Sequence, residues 1–525
     1  MIQVVLREVS GMRLKDLSPN KITASALLDR LSEEGWSSTH DSLAQELVQR
    51  LASKLETHAV IRECAENRLY FILHLTDIHL RTMHEVPCLL LGGEADVSNA
   101  LSDFWKRHNT PQFIPFILTL SASSYEQAIN HLSNGRCFIL SPEQIRVLLN
   151  ANDAQQQLKQ FLFQQVPRRT LIPYNIFQPA EGAMFFGREE ELDRLEEEDA
   201  TSFSIAGPGR VGKTSLLENY RQRMLRSHNQ RVLRIKVSFY KSDPNPDAAA
   251  RFLALEIWNS KLSNRMTASG LVNFLRYMRS VHGKPLELLL DEVDEVCQGE
   301  AFKYLGEAAR MGLCRLVLLG KGVLLKMMLS ARSPLDCRLE LLRLGPLTDS
   351  AAHHLLLKPL TDLGFQISNA DRLLGEILLF TGRLPHLLQL FGKKLAEFAI
   401  KEGTETIGWD LLEQLRGDFL ITQYFIKSLN DLENPEARLL GLTLVEEGQE
   451  NISIAHVQEA ARRKGLHLDS QRVMEICIDL VINNVLVWNN GSYRLANEGL
   501  PFYARQTGYL SSALSEAQAA VNALN

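Results

Sequence analysis

An apolar run, a glycine-rich turn and a helix start follow one another without interruption over residues 203 to 217, Phe-Ser-Ile-Ala-Gly-Pro-Gly-Arg-Val-Gly-Lys-Thr-Ser-Leu-Leu. Few stretches restrict a fold as much. Gly207, Gly209 and Gly212 open backbone conformations that a Cβ closes, so that successive N–H groups can converge on one anion. Gly207 to Thr214 fits GxxxxGK[ST], whose spacing sets a lysine and a hydroxyl at the start of a helix. The expected phosphate cradle comprises Gly207, Pro208, Gly209, Arg210, Val211, Gly212, Lys213, Thr214 and Ser215. In it the Lys213 ammonium reaches the β and γ phosphates, the Thr214 hydroxyl ligates Mg²⁺, and the positive end of the helix dipole adds to both.

A nucleotide site must also hold its metal. Leu286-Glu287-Leu288-Leu289-Leu290 followed by Asp291-Glu292-Val293-Asp294-Glu295 reads as a central strand of a parallel sheet, buried on both faces and ending in carboxylates. Asp291 is the expected holder of the Mg²⁺ hydration shell. Glu292, one residue on, is the expected catalytic carboxylate that polarises a water for attack on the γ-phosphate. Asp294 and Glu295 read as solvated loop charges.

With these two motifs the chain resembles the STAND-type P-loop ATPases, signal-transducing relatives of the AAA+ and origin-recognition ATPases, over about residues 173 to 505. Phe185-Phe186-Gly187-Arg188-Glu189-Glu190-Glu191-Leu192 is similar to a family box beside the nucleotide, which implies a binding role for Arg188. Leu316 to Lys321 matches the family's sensor strand, implying one for Lys321. Arg338, in Ser333-Pro334-Leu335-Asp336-Cys337-Arg338, stands where such proteins often carry a catalytic arginine. Thr381-Gly382-Arg383-Leu384-Pro385-His386 resembles the lid motif whose proline, Pro385, packs near adenine; Arg383 occupies the place of a second glycine. ATP over GTP rests on this resemblance and on the absence of an Asn-Lys-x-Asp signature.

At 525 residues the chain exceeds what one core accommodates. The expected order is an α/β sensor or effector domain (1–165), a connector (166–184), a P-loop ATPase core (185–345), a helical lid (346–428), a winged helix (429–508) and a tail (509–525). The fold class is thus α/β, with a parallel-sheet core. A composition of 45% apolar and 23% charged residues with a formal net charge of −5 gives no bulk attraction for nucleic acid or an anionic membrane. No apolar stretch approaches the roughly 20 residues that span a bilayer, and the first six residues do not form a signal peptide; a cytoplasmic protein is expected. Seven scattered cysteines without CxxC pairs indicate neither a disulfide framework nor a zinc site.

In the first domain the apolar runs Leu69–Leu75, Pro87–Leu91, Phe113–Leu120 and Cys137–Leu140 alternate with helix-length polar segments. Leu73 to Leu80 contains Asp77-Ile78-His79, resembling the DxH of metallophosphoesterases. A two-metal site needs further ligands, and Gly92-Gly93-Glu94-Ala95-Asp96 is a poor match to the family's next motif.

Residues 346 to 425 read as helices alone. From Asn434 the pattern is that of a winged helix: helices opened by Asn434, Ser453 and Asp469, then a hairpin through an Asn-Gly turn. Its third helix carries Arg472 against Asp469, Glu475 and Asp479, and residues 401 to 525 hold 10 Lys or Arg against 17 Asp or Glu. That is the wrong sign for binding DNA, which phosphate charge dominates, and favours a protein or intramolecular dock.

The expectation is an ATP-binding, Mg²⁺-dependent hydrolysing switch with nucleotide-dependent protein contacts or self-association. An AAA+ ATPase acting on DNA, as in replication initiation or transposition, and a nucleotide-bound scaffold without turnover remain open.

Overall fold

The computed structural model describes residues 24–33, 41–65, 67–75, 78–81, 85–92, 95–108, 114–131, 137–197, 202–227, 232–236, 246–257, 266–295, 297, 299–328, 339–489 and 491–523. They form two compact units, Met1–Pro173 and Tyr174–Asn525, and the division falls inside the expected connector.

The first unit runs α1 (Ala24–Glu33), α2 (Asp41–Lys54), β1 (His58–Ala65), β2 (Arg68–His74), β3 (Val86–Leu91), α3 (Val97–His108), β4 (Phe116–Thr119), α4 (Ala122–His131), β5 (Phe138–Leu140), α5 (Pro142–Asn150) and α6 (Ala154–Gln165). Its sheet has the order β1-β2-β3-β4-β5. The pairs β1/β2 and β2/β3 are antiparallel, while β3/β4 and β4/β5 are parallel. Strands β3 to β5 are buried throughout, hence their unbroken apolar runs. Strand β1, with charges at Arg62 and Glu63 and a bulge between Ile61 and Glu63, shows no such run, and it escaped the sequence reading. Asp77 of the DxH fragment and Glu94 lie outside the described residues. Among the described residues no group of three or more His, Cys, Asp or Glu side chains is arranged to hold a metal.

The second unit contains α7 (Glu189–Glu196), β6 (Ser202–Ala206), α8 (Lys213–Ser227), β7 (Val232–Lys236), α9 (Pro246–Ile257), α10 (Gly270–His282), β8 (Leu286–Asp291), α11 (Glu300–Arg310), β9 (Cys314–Gly320), α12 (Gly322–Met328) and β10 (Leu339–Arg343). The sheet is wholly parallel with the order β10-β6-β9-β8-β7. Strand β6, which feeds the glycine loop, therefore lies between β9 and β10, one strand away from β8. All carboxyl ends face one way, so the residues after β6 and β8 meet at a single edge, where ligands of open parallel sheets bind. Below that edge β8 carries one polar exception, buried Glu287, paired with Arg315 at 3.2 Å and bonded by the Tyr220 hydroxyl.

Helices α13 (Asp349–Asp362), α14 (Ala370–Thr381), α15 (Pro385–Glu402), α16 (Trp409–Arg416) and α17 (Phe419–Asn430) follow. The segment is not purely helical, because β11 (Gln366–Ile367) and β12 (Thr406–Ile407) pair in parallel; two-residue strands leave no periodic signal. Next come α18 (Pro435–Glu447), α19 (Ile454–Arg463), α20 (Ser470–Ile482), the antiparallel pair β13 (Leu486–Asn489) and β14 (Ser492–Leu495), α21 (Gly499–Gln506) and α22 (Tyr509–Asn522). Asn434, Ser453 and Asp469 each cap their helix through a side-chain oxygen, satisfying first-turn N–H groups. Among the described residues no helix is long and apolar enough to cross a membrane.

Candidate nucleotide site

The glycine loop joins buried β6 to the first turn of α8, and its backbone shows why glycine is needed. A Cβ on Gly207 would stand 2.4 Å from the Leu344 carbonyl oxygen, because the chain leaving β10 crosses the loop there. Gly212 has φ +98°, and the space around Gly209 and Gly212 is open. Lys213 Nζ donates to the carbonyls of Gly207 and Pro208 at 2.8 and 2.7 Å. Burial, together with the charge of Lys321, lowers its pKa to about 8, against the opposing pull of Asp294 and Asp291. A polyanion would reverse that shift.

Thr214 Oγ1 donates to Asp291 Oδ2 at 3.2 Å, bringing a hydroxyl and a buried carboxylate together at the edge between β6 and β8. Two hard oxygen donors beside an anion cradle fit Mg²⁺, which keeps most of its own water. Glu292 is exposed on the same rim and holds φ +61°, a strained setting for a residue with a Cβ. Asp294 is not a solvated charge: its carboxylate accepts the N–H groups of Lys321, Val323 and Leu324 at 2.6, 3.0 and 3.2 Å and so caps α12. This ties the turn after β8 to the end of β9, where Lys321 lines the cavity.

Ser215 Oγ accepts the Ala180 N–H at 2.9 Å, and Asn219 Nδ2 donates to the Ala180 carbonyl. The segment before α7 is thereby laid along α8. Buried Arg188 bonds Glu191 at 2.9 Å and the carbonyl of Gly345, so its guanidinium braces the loop's surroundings from within the cavity wall. Pro385 opens α15 and also lines the cavity. Arg383 takes the glycine-like φ of +59° itself, while its guanidinium meets Asp349 at 3.1 Å. The substitution for a second glycine thus leaves the turn intact. Arg338 lies outside the described residues.

Several contributors were not singled out from the sequence. The Gly209 N–H donates to the Ile482 carbonyl at 3.2 Å, and Asn484 Nδ2 donates to the Gly209 carbonyl at 3.0 Å. Asp479 pairs with Lys326 at 2.6 Å, and Ile482 packs where a Cβ on Gly322 would stand, so the end of α20 sits on both the loop and α12. Tyr424 and His386 stack at 5.1 Å with 23° between their planes. Burial first, then the Arg210 charge, lowers the His386 pKa to about 4. The one available hint was Asn483-Asn484 at a helix end, since asparagine tolerates the left-handed φ of +59° that Asn484 adopts.

These groups enclose a cavity of about 730 Å³, a size suited to a nucleotide, with the loop at one side and Asn175, Phe186, Gln389 and Tyr424 on others. The fold is α/β, a parallel sheet with a glycine loop at its carboxyl edge and a helical C-terminal region.

No protein-family model and no curated protein sequence matches the chain. Among solved structures it is similar to the Walker-type ATPase paby2304 of Pyrococcus abyssi, at 16% identity and TM-score 0.49, covering 63% of this chain and 99% of that one. It is similar also to Cdc6p from Pyrobaculum aerophilum, at 15% identity and TM-score 0.36, over 65% and 97% of the two chains. The Aeropyrum pernix ORC2 protein, solved as ADPNP–ADP complexes, shares 14% identity at TM-score 0.42 over 64% and 93%.

Proposed function

We propose that the chain is an ATP-binding, slowly ATP-hydrolysing conformational switch of the STAND type, serving intracellular signalling or defence. The observation that carries this reading is the bonding of Gly209 to Ile482 and Asn484. The phosphate loop and the end of α20 form one hydrogen-bonded piece, so a ligand that moves the loop acts on the C-terminal helices.

In this reading Lys213 exchanges the carbonyls of Gly207 and Pro208 for the β and γ phosphates, whose charge would raise its pKa again. Thr214 and Asp291 would hold Mg²⁺, which when bound offsets the phosphate charge. Glu292 would orient and polarise the attacking water, and Arg338 would meet the charge developing in the transition state. Arg188, Lys321 and Pro385 line the same cavity and would bear on the nucleotide there. The helices from Asn434 onward would act as a winged helix that docks within the protein rather than on DNA. Supporting this, Arg472 on α20 is engaged by Glu436 at 2.8 Å and Glu475 at 2.9 Å. The first unit would sense the input or deliver the output, with nucleotide-dependent association as the readout.

Hydrogen exchange of the full chain with ADP and with the non-hydrolysable β,γ-imido ATP analogue tests the switch. Amides of residues 470–484 should exchange faster with the triphosphate than with ADP. Equal protection with both nucleotides would overturn the reading.

A further inference from the structure

Arg210 is the loop residue next to the Gly209 contacts, and its backbone holds φ +65°, a conformation glycine adopts without strain. Its guanidinium lies over the Tyr424 ring, 4.7 Å from the centroid, and also bonds the Tyr424 hydroxyl, while the same ring stacks on His386. Tyr424 belongs to α17 and His386 to α15, so the cation links the phosphate loop to α17 directly and to α15 through the ring stack. Arg210 itself is exposed beside the cavity that Gly209, Lys213 and Thr214 line.

We infer that Tyr424 is a positioning residue that retains the Arg210 guanidinium on helix α17 until a γ-phosphate competes for it. The inference rests on the nucleotide reading above and deepens it, by naming the part that distinguishes triphosphate from diphosphate. An exposed cation over a ring is a weak contact, whereas a guanidinium on a phosphate forms a charge-assisted, forked pair. The triphosphate therefore wins Arg210 and unfastens α17 from the loop. A diphosphate, held by Lys213 and the loop amides, leaves the stack in place. Neutral His386 assists by packing against the ring without repelling the cation.

The test is equilibrium binding of ADP and of β,γ-imido ATP to the full chain and its variants. Tyr424→Leu should tighten the triphosphate analogue about two- to fivefold, which is the 0.5–1 kcal/mol of an exposed cation–π contact at 1.4 kcal/mol per decade, and leave ADP unchanged. Tyr424→Phe, which keeps the ring but loses the hydroxyl that also bonds Arg210, should restore most of the original ratio. On an Arg210→Ala background Tyr424→Leu should have no further effect, since the two residues then no longer share an interaction. Equal shifts for both nucleotides would make Tyr424 a wall of the base pocket and overturn the inference, as would an effect of Tyr424→Leu that survives removal of Arg210. If the unaltered chain bound neither nucleotide, the nucleotide reading itself would fall, and this inference with it.

Discussion

The side-chain amide of Asn484 donates to the carbonyl oxygen of Gly209 at 3.0 Å, joining two residues 275 positions apart. Asn484 reaches it from a left-handed backbone position just beyond α20, and the neighbouring Ile482 carbonyl takes the Gly209 N–H. Both polar groups of one loop residue are thus satisfied by the C-terminal region.

That bond is separable from the backbone that presents it. Asn484→Gly keeps the φ and loses the amide; Asn484→Ala loses the amide and adds strain. A part-buried hydrogen bond contributes about 1 kcal/mol, so Asn484→Gly should speed ADP release roughly fivefold, and Asn484→Ala by more. Stopped-flow release of a fluorescent ADP measures both. Unchanged release in the two variants would show that the contact does not hold the site closed.

The two ends of the site should behave as opposites. Lys213→Ala removes a ground-state contact and should weaken ATP binding about tenfold or more, leaving the chain in its empty or ADP-like form. Glu292→Gln keeps the shape but loses the carboxylate; ATP should bind and persist while turnover falls about 10²- to 10⁴-fold. With ATP present, Glu292→Gln should show a lasting change in protease cutting within residues 166–184 or in size, and Lys213→Ala none. Normal hydrolysis in Glu292→Gln would remove it as the catalytic carboxylate.

His386 should make the packing of α15 acid-sensitive. Its folded pKa of about 4 lies below the usual value of 6.5, so on acidification the unfolded chain takes up the proton first. Its share of stability is constant above pH 6.5 and is lost between 6.5 and 4, by about 2 kcal/mol at pH 5 and about 3 in full. Urea unfolding at pH 7 and pH 5 should show this loss, and His386→Phe should lessen it. An equal pH dependence in the variant would exclude His386 as its source.

Duplex DNA should bind the full chain no more tightly than micromolar near physiological salt. Non-specific affinity comes from neutralised phosphates, residues 401 to 525 carry 10 basic against 17 acidic side chains, and the carboxylates of Glu436 and Glu475 already engage Arg472. Fluorescence anisotropy across a salt series checks this. Sub-micromolar binding with a steep salt slope would bring the DNA-acting reading forward.

Much of the site was legible from contiguous residues. The loop from Gly207 to Thr214, the buried strand ending in Asp291 and the caps at Asn434, Ser453 and Asp469 owe their geometry to neighbours a few positions away. In such stretches residue type and spacing already set which backbone groups are free and which side chains emerge together. Even Arg383, a departure from the expected glycine, takes the left-handed φ that a glycine would take there.

What tertiary structure alone decided lies between segments far apart in sequence. Asp294 reads as a loop charge until α12 brings three N–H groups to it. Strand β10 shows too short an apolar pattern to announce itself, yet its exit fills the space that forbids a side chain on Gly207. Tyr424 and Asn484 carry no motif, and the motif that ends in His386 does not announce its stack on Tyr424, because nothing in the order of residues records which helix will meet a loop more than 170 positions away. Those encounters follow from the burial of apolar faces, which sets how the helices pack. The bonds to Gly209 and Arg210 form only once that packing has brought their partners within reach.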